Sequence, residues 1–542
     1  MKSRLAALAC AAAVFVCVAV WLVRADDGKR PAEICTEPIE TLWDVEDTLQ
    51  WTEERLEGAL VFGEERLAYD ASSRTYYCPL RLDDAQWPEI PLCVAAPGMR
   101  AAWVDEYMFD DKAEAVADGV RYSFMVWDGE RYTTAGVVFT GLPVVQLYAG
   151  RELTREDTLG SVRISDSENG LYVSMRANLR TRGSSATQAE KKSYRMKLMS
   201  QGHSGRLSGE ALPVLGMPAG DTWVLIAGAL EGTRVRDKLA LDIWNGFARE
   251  DDPYYYGTQG EFVELFLDDA YMGLYVLAQA ADAEAIARAG KTRVIEQDVM
   301  YRSMYLGYTT AFERPVQVNE WNRFYGYQYR YPEKTEAQED DWALLNEYVA
   351  LSGGIEEMDA FRKAAEGRVD VRNAIDYWLF VQACALNDNV RNNLFIWWHD
   401  EPQGYVLSFF PWDLDKSFGI EADTGSEDRL TALGGIKAFP IAMRLVAADV
   451  DGARGYWRPR WQTLREGVLS EAWLEERIAW YEHVLNDSGA YRRESARWMD
   501  EEKNADLYGL VSFMSERLAL LDEWIMSADD DSLFIVEEKL TQ

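Results

Sequence analysis

Histidine is nearly absent from this chain: among 542 residues only His203, His399 and His483 occur. None stands beside a recognisable nucleophile motif, which argues against a hydrolase triad. Cysteine is sparse too, with six residues and no cysteine–histidine spacing of a zinc site. Positive charge is in deficit, 56 Lys and Arg against 91 Asp and Glu, so at −35 a nucleic acid would meet a repulsive field. Internal repeats and low-complexity blocks are also missing.

Core material is abundant, with 48% apolar and 12% aromatic residues. The length fits roughly two to four compact units. The N-terminus carries Lys2 and Arg4, then runs uncharged from Leu5 to Val23 before Asp26 and Asp27. That pattern predicts export, with residues 1–25 either a cleaved signal peptide or an N-terminal membrane anchor. The charge order places the body outside the membrane, touching it only through this segment. An extracytoplasmic, secreted or anchored location permits one disulfide among Cys35, Cys78 and Cys93, and three pairings are open. Cys384 lies in an apolar helical pattern and is expected to be buried.

Residues 26–34 read as a linker and 35–141 as a small β-rich, sandwich-like domain. Within it, Tyr122–Trp127 and Glu130–Thr133 flank Asp128-Gly129, a tight-hairpin signal. From 142 the order changes. Strand patterns at Pro143–Tyr148 and Leu171–Arg180 lead to a polar loop, Thr181 to Thr187, and then a strand at Ser193–Leu198. Its alternation puts Tyr194, Met196 and Leu198 on one face, Arg195 and Lys197 on the other. A strand at Trp223–Ala227 precedes a helix capped by Thr233 with Leu239, Ile243 and Phe247 on its apolar side. A hairpin turning at Asp268-Asp269 follows. The second half is mainly helical, interrupted by a hairpin of Leu394–His399 and Tyr405–Phe410. The aromatic-rich stretch Tyr301–Tyr331, with Trp321, Phe324, Tyr325, Tyr327 and Tyr329, is expected to pack on its own domain rather than serve as a lid. Trp397, Trp457 and Trp461 are expected in the core.

Phosphoryl transfer needs a carboxylate at the attacking hydroxyl, metal ligands, and cations or backbone donors on the phosphates. Asp388 and Asn393 stand at the interval between the catalytic-loop Asp and metal-binding Asn of protein kinases, and Asp413 follows the next hairpin, where a kinase carries its metal-binding Asp. Strands, a Lys-bearing strand and a helix precede them, which is the layout of a kinase N-lobe.

Arg182-Gly-Ser-Ser with Lys191-Lys-Ser-Tyr-Arg-Met-Lys197 resembles the Arg-Gly-Asn-Ser-Ser and Lys-Lys-x-Tyr-Arg-Leu-Lys pattern of the spore coat protein H (CotH) kinase family. Val235–Asp242, Val263–Leu267 with Gly273-Leu-Tyr, and Pro411-Trp-Asp-Leu-Asp are similar to that family in the same order. The resemblance covers about Pro143 to Met526. It implies an α+β, atypical bilobal protein-kinase-like fold with a helical C-lobe: residues 142–528, with an N-lobe to about 280, a C-lobe from 281 to 528, and an acidic tail at 529–542. It also implies a kinase that uses ATP with Mg²⁺ or Mn²⁺ to phosphorylate Ser or Thr hydroxyls of an extracytoplasmic protein. Asp388 would be catalytic, with Asp413 and Asn393 on the metal. Arg182, Gly183, Ser184 and Ser185 would form the phosphate loop. Lys197 would reach the phosphates, oriented by Asp242, against the alternative of a surface lysine. Asp415 reads as a turn acceptor before a second metal contact, and Lys416 as a lesser phosphate candidate. Ser184 stands where the family usually has Asn, and Gln279 where Glu is common near the expected adenine connector, so phosphate or adenine contacts are altered. The alternative function is a CotH-like surface-binding or structural protein with little or no turnover; glycan attachment through the N-terminal β domain is a third.

Overall fold

The computed structural model describes residues 31–63, 65–80, 92–104, 116, 119–166, 170–183, 189–202, 206–252, 254–281, 297–304, 318–319, 323–324, 326–334, 337–420, 435–498 and 507–534. The export segment, Ser184, Ser185, Trp321 and Tyr325 fall outside them. So do the side chain of Phe324 and all of the acidic tail beyond residue 534. Among the described residues no helix is long and apolar enough to cross a membrane.

The N-terminal strands hydrogen-bond into one mixed ten-stranded sheet. Its central hairpin joins Arg121–Trp127 to Arg131–Thr140 in antiparallel register. Asp128 closes the turn as its sequence suggests, Oδ1 accepting the N–H groups of Glu130 and Arg131 at 2.7 Å each. None of the four described cysteines is in a disulfide, contrary to the expected bridge. Cys78 is wholly buried in the apolar core, whereas Cys93 sits opposite Glu33 on the neighbouring strand.

A second sheet of eight strands closes on itself. Gly170–Arg182 pairs both with Thr158–Asp166 and with Ser193–Gln201, so seven strands form a cycle. Alternation fills its interior: Tyr194, Met196 and Leu198 point in beside Val145, Leu147, Trp223, Leu225 and Leu277. Arg195 and Lys197 stay half-exposed on the outer face, as the pattern requires. The hairpin of Gly260–Leu267 and Ala270–Gln279 turns through Asp268 and Asp269, both at positive φ (47° and 61°). That is the backbone a two-residue turn demands, and Asp tolerates it. Both sheets meet through Ala68, Tyr77 and Val138 against Val144, Phe266 and Tyr271.

The helix Arg236–Gly246 packs Leu239 and Ile243, and Phe247 just beyond its end, into the main core. Thr233 does not cap it. Its hydroxyl donates instead to Glu231 Oε2 at 2.6 Å, and Val235 occupies the cap position. A third sheet carries the site hairpin, Leu394–Glu401 and Gly404–Pro411, with Val299–Ser303 and Tyr327–Tyr331 beside it. Tyr327 and Tyr329 are buried against Tyr348 and Trp342, which bears out packing over a lid for these two residues. Behind the hairpin lies Val371–Ala383, a helix buried on nearly every face. Trp397, Trp457, Trp461 and Cys384 are all core residues.

A buried ion cluster ties the helix Ala490–Trp498 to the closed sheet. Glu494 Oε1 accepts from Lys191 Nζ (2.7 Å) and Arg234 Nε (2.8 Å), while Oε2 accepts the Leu274 N–H (2.8 Å). Gly273 stands at φ +96° where a Cβ would lie 2.1 Å from Glu494 Oε2, so only glycine lets the carboxylate approach. Lys191, the first lysine of the family-like motif, is therefore a structural residue.

Candidate active site

Three chain segments are stitched together around Asp388. The residues after the buried Val371–Ala383 helix form a short turn, Asp388–Val390. Asn389 Nδ2 donates from it to the carbonyls of Trp412 (2.8 Å) and Asn393 (3.2 Å), and the Trp412 N–H donates to Asn393 O (2.9 Å). Asn393 and Asp413 sit on the two arms of the hairpin's base, each at positive φ (53° and 60°). Asn and Asp are the residue types that accept this left-handed backbone most readily after glycine. The helix start clamps the second arm: Asp237 Oδ1 accepts the Leu414 N–H at 2.8 Å, and Arg236 donates to the carbonyls of Ser417 (2.7 Å) and Phe418 (2.9 Å).

The side chains then converge. Asp388 Oδ2 accepts from Asn393 Nδ2 at 2.9 Å and Oδ1 from Asn392 Nδ2 at 2.7 Å. Arg182, at the end of the Gly170–Arg182 strand, donates to Asp413 Oδ1 at 3.2 Å and lies over the Trp412 ring. Arg302, on Val299–Ser303, donates to Asn393 Oδ1 at 3.0 Å. Asp388, Asn393, Asp413 and Arg182 thus share one site although they are scattered through the sequence.

Burial raises the Asp388 carboxyl above its ordinary value, and Asp413 adds to this, while the Asn392 hydrogen bond and Lys416 oppose it. Asp415 is pushed up to about 7, chiefly by burial and then by Asp413. Asp237 is raised as well, by burial and by Asp415 and Asp413. A carboxyl whose native pKa exceeds its unfolded one adds stability at low pH and loses it as pH rises through the native value. In metal-free protein the unfolding free energy should therefore fall between about pH 4 and pH 7. Asp415→Asn should flatten that slope in denaturant titrations run across this range; an unchanged slope would remove Asp415 from the effect.

Lys197 is placed differently from expectation. Its Nζ lies 3.5 Å from Asp221 Oδ2, not at Asp242, whose carboxylate is taken by Lys238 (2.6 Å) and by the Tyr481 hydroxyl (2.7 Å). Asp242 is i+4 from Lys238 on the same helix, a nearer partner than a residue on another strand. Gln279 is buried, its amide donating to Pro218 O at 2.8 Å. Lys416 lies close enough to Asp388 and Asp415 to lower both. Sequence reasoning missed Asp237, Arg236 and Arg302. The first two lie within the Val235–Asp242 motif, and two charged residues opening a helix against an apolar core were a usable signal. Arg302 offered none, because its place comes from strand pairing with Leu394–Glu401.

His399 stands between Ser408 Oγ (2.6 Å from Nε2) and Asp298 Oδ2 (3.7 Å from Nδ1), a constellation with hydrolase residue types. All three are at most 2% exposed and lie within the sheet, so no substrate reaches them.

Among the described residues no group of three His, Cys, Asp or Glu side chains is arranged to hold a metal ion. The donor set that is present, one carboxylate from Asp413 and one amide oxygen from Asn393, is hard and oxygen-only. It suits Mg²⁺ or Mn²⁺ of the kind completed by substrate phosphates and water rather than by a protein cage.

No curated protein matches the chain. A family model described as CotH kinase protein matches residues 179–521, from the strand that carries Arg182 to the helix Tyr508–Ser527. The match spans more than half of the chain and takes in Asp388, Asn393 and Asp413, so this kinase-like protein belongs to the CotH kinase family.

Proposed function

We propose that this protein is an exported atypical protein kinase that transfers the ATP γ-phosphate to Ser or Thr hydroxyls of an extracytoplasmic protein. The observation that carries the reading is the meeting of Asp388 with Asn393 at 2.9 Å, beside Arg182 on Asp413 at 3.2 Å. The bilobal arrangement follows the same reading: the closed sheet with its Arg236–Gly246 helix acts as N-lobe, and the helices after residue 281 act as C-lobe. Residues 35–141 form an appended β domain, and residues 1–25 direct export.

In this mechanism Asp388 orients the acceptor hydroxyl and takes its proton, a role suited to a carboxyl held above its ordinary value. Asn392 and Asn393 fix the carboxylate in place, so little reorganisation accompanies transfer. Asp413 and Asn393 would hold the divalent ion, which supplies charge neutralisation at the phosphates when bound. Arg182 offers a guanidinium to the phosphate oxygens, and its stacking on Trp412 limits its rotamers. Gly183, at φ +97°, opens the phosphate loop, which Ser184 and Ser185 continue. Lys197 is the further phosphate cation by its strand position, with Asp221 as its resting partner.

The test incubates purified protein with γ-labelled ATP, Mg²⁺ or Mn²⁺ and an extracytoplasmic protein fraction, beside Asp388→Ala and Asp413→Ala. Label should enter protein with the unaltered chain alone. Equal label in all three removes the kinase reading. Nucleotide binding without any transfer moves the protein to the non-turnover alternative, a reading favoured by the closure of Asp413 onto Arg182.

A further inference from the structure

The backbone that carries Asp413 is bent against its own preference. Asp413 stands at φ +60° and Phe418 at φ +53°. A bulky residue in the left-handed region persists only where its surroundings hold it there. Two adjacent side chains at the start of the Arg236–Gly246 helix supply that hold. Asp237 Oδ1 accepts the Leu414 N–H at 2.8 Å, and one nitrogen of Arg236, Nη1, donates to both Ser417 O (2.7 Å) and Phe418 O (2.9 Å). Arg236, Ser417 and Phe418 are each at most 4% exposed, so water does not stand ready to take over these bonds. Glu231 keeps the guanidinium in place, its Oε2 lying 3.7 Å from Nε and its Oε1 accepting the Arg236 N–H at 3.4 Å. The Phe418 N–H points the other way, donating at 2.9 Å to the carbonyl of Cys384, on the stretch of chain that runs on to Asp388. The helix is itself anchored, since the Tyr481 hydroxyl donates to Asp242 Oδ2 at 2.7 Å.

We infer that Arg236 is a positioning residue for phosphoryl transfer: by holding the Ser417 and Phe418 carbonyls it sets where the Asp413 carboxylate stands relative to Asp388 and Asn393. This rests on the kinase reading and extends it to a side chain outside the ligand set. Arg236 meets backbone only on this arm and touches no reacting atom. Asp237 fixes the near end of the turn at Leu414, and Arg236 fixes the far end at Phe418. Without the second contact the left-handed backbone at Phe418 loses its support, and relaxation of the turn carries Asp413 away from Asn393. Lysine at this position keeps the charge opposite Glu231 but is shorter and lacks the rigid plane that aims both N–H bonds of Nη1.

The test makes two measurements on the full chain: the affinity of the ATP-loaded protein for Mn²⁺ by calorimetry, and amide hydrogen exchange across residues 412–420 without metal or nucleotide. Arg236→Lys should weaken Mn²⁺ binding by about 10–100-fold, the usual effect of losing a group that orients a metal ligand, and should speed exchange in this segment. Arg444→Lys is the matched control. Arg444 is equally buried and donates to the Leu351 carbonyl at 2.9 Å, so its variant should lower the unfolding midpoint and leave Mn²⁺ affinity unchanged. Simple loss of folded protein reduces the number of Mn²⁺ sites without altering their affinity. That outcome for Arg236→Lys overturns the inference and makes Arg236 a packing residue. Faster exchange with unchanged Mn²⁺ affinity also overturns it, as does equal weakening by Arg444→Lys; in each case the kinase reading stands. Absence of Mn²⁺ binding by the unaltered chain with ATP overturns the kinase reading itself.

Discussion

Asp388→Asn should lower the rate of phosphoryl transfer by about 10²–10⁴-fold, the usual contribution of a positioned general base, with nucleotide affinity unchanged. The substitution is close to isosteric, so the loss reports the proton acceptor rather than the fold. Asp388 accepts amide N–H groups from Asn392 and Asn393 on its two oxygens. An asparagine keeps one acceptor and sets an NH₂ against the other amide. Asn393 is held by Arg302 on its oxygen, so the mismatch is smallest when the new amide group of residue 388 faces Asn392. The pH profile adds an independent mark. The base must be ionised to act, so activity falls as pH falls, and the acidic limb should lie above the ordinary aspartate value of 3.8 because burial raises the Asp388 carboxyl. A steady-state rate for Asp388→Asn near that of the unaltered protein would assign the proton to another group.

The largest stability effect is expected far from this chemistry. Glu494→Ala should cost about 3–5 kcal/mol in urea unfolding, the range for removing one partner of a buried ion pair. The carboxylate serves Lys191, Arg234 and the Leu274 N–H at once, and both its ionic partners are at most 4% exposed. Alanine strands two cations and a backbone donor in the interior. Glu494→Gln should be milder, since an amide oxygen still accepts hydrogen bonds, and the difference between the two variants isolates the charge. A loss below about 1 kcal/mol for the alanine variant would place the cluster with exposed pairs.

The sequence was most legible where local chemistry decides the outcome. Alternation at Ser193–Leu198 gave the inner and outer faces of a strand, and Asp128-Gly129 and Asp268-Asp269 marked turns by backbone preference. The interval from Asp388 to Asn393 and the position of Asp413 pointed to side chains that do converge. Partner choice was less legible. Lys197 faces Asp221 because those strands are neighbours, and Asp242 answers Lys238 one turn away. Thr233 looked like a cap but serves Glu231. Export left room for one bridge among Cys35, Cys78 and Cys93, yet all three are free and Cys78 is enclosed by core side chains. Arg302 was invisible in sequence because a short strand acquires its neighbours only when Val299–Ser303 pairs with the site hairpin. Closure of the eight-stranded sheet was equally hidden, since it depends on one strand, Gly170–Arg182, being long enough to pair on both edges.

The most direct test of the central claim is the electron paramagnetic resonance spectrum of Mn²⁺ titrated into protein that already holds ATP. Asp413 and Asn393 as ligands predict a bound-manganese signal that Asp413→Ala and Asn393→Ala each abolish or weaken severely, while Glu210→Ala, on the outer edge of the closed sheet, leaves it intact. An identical bound signal in all of these proteins would contradict the account, since the ion would then sit somewhere other than beside Asp388.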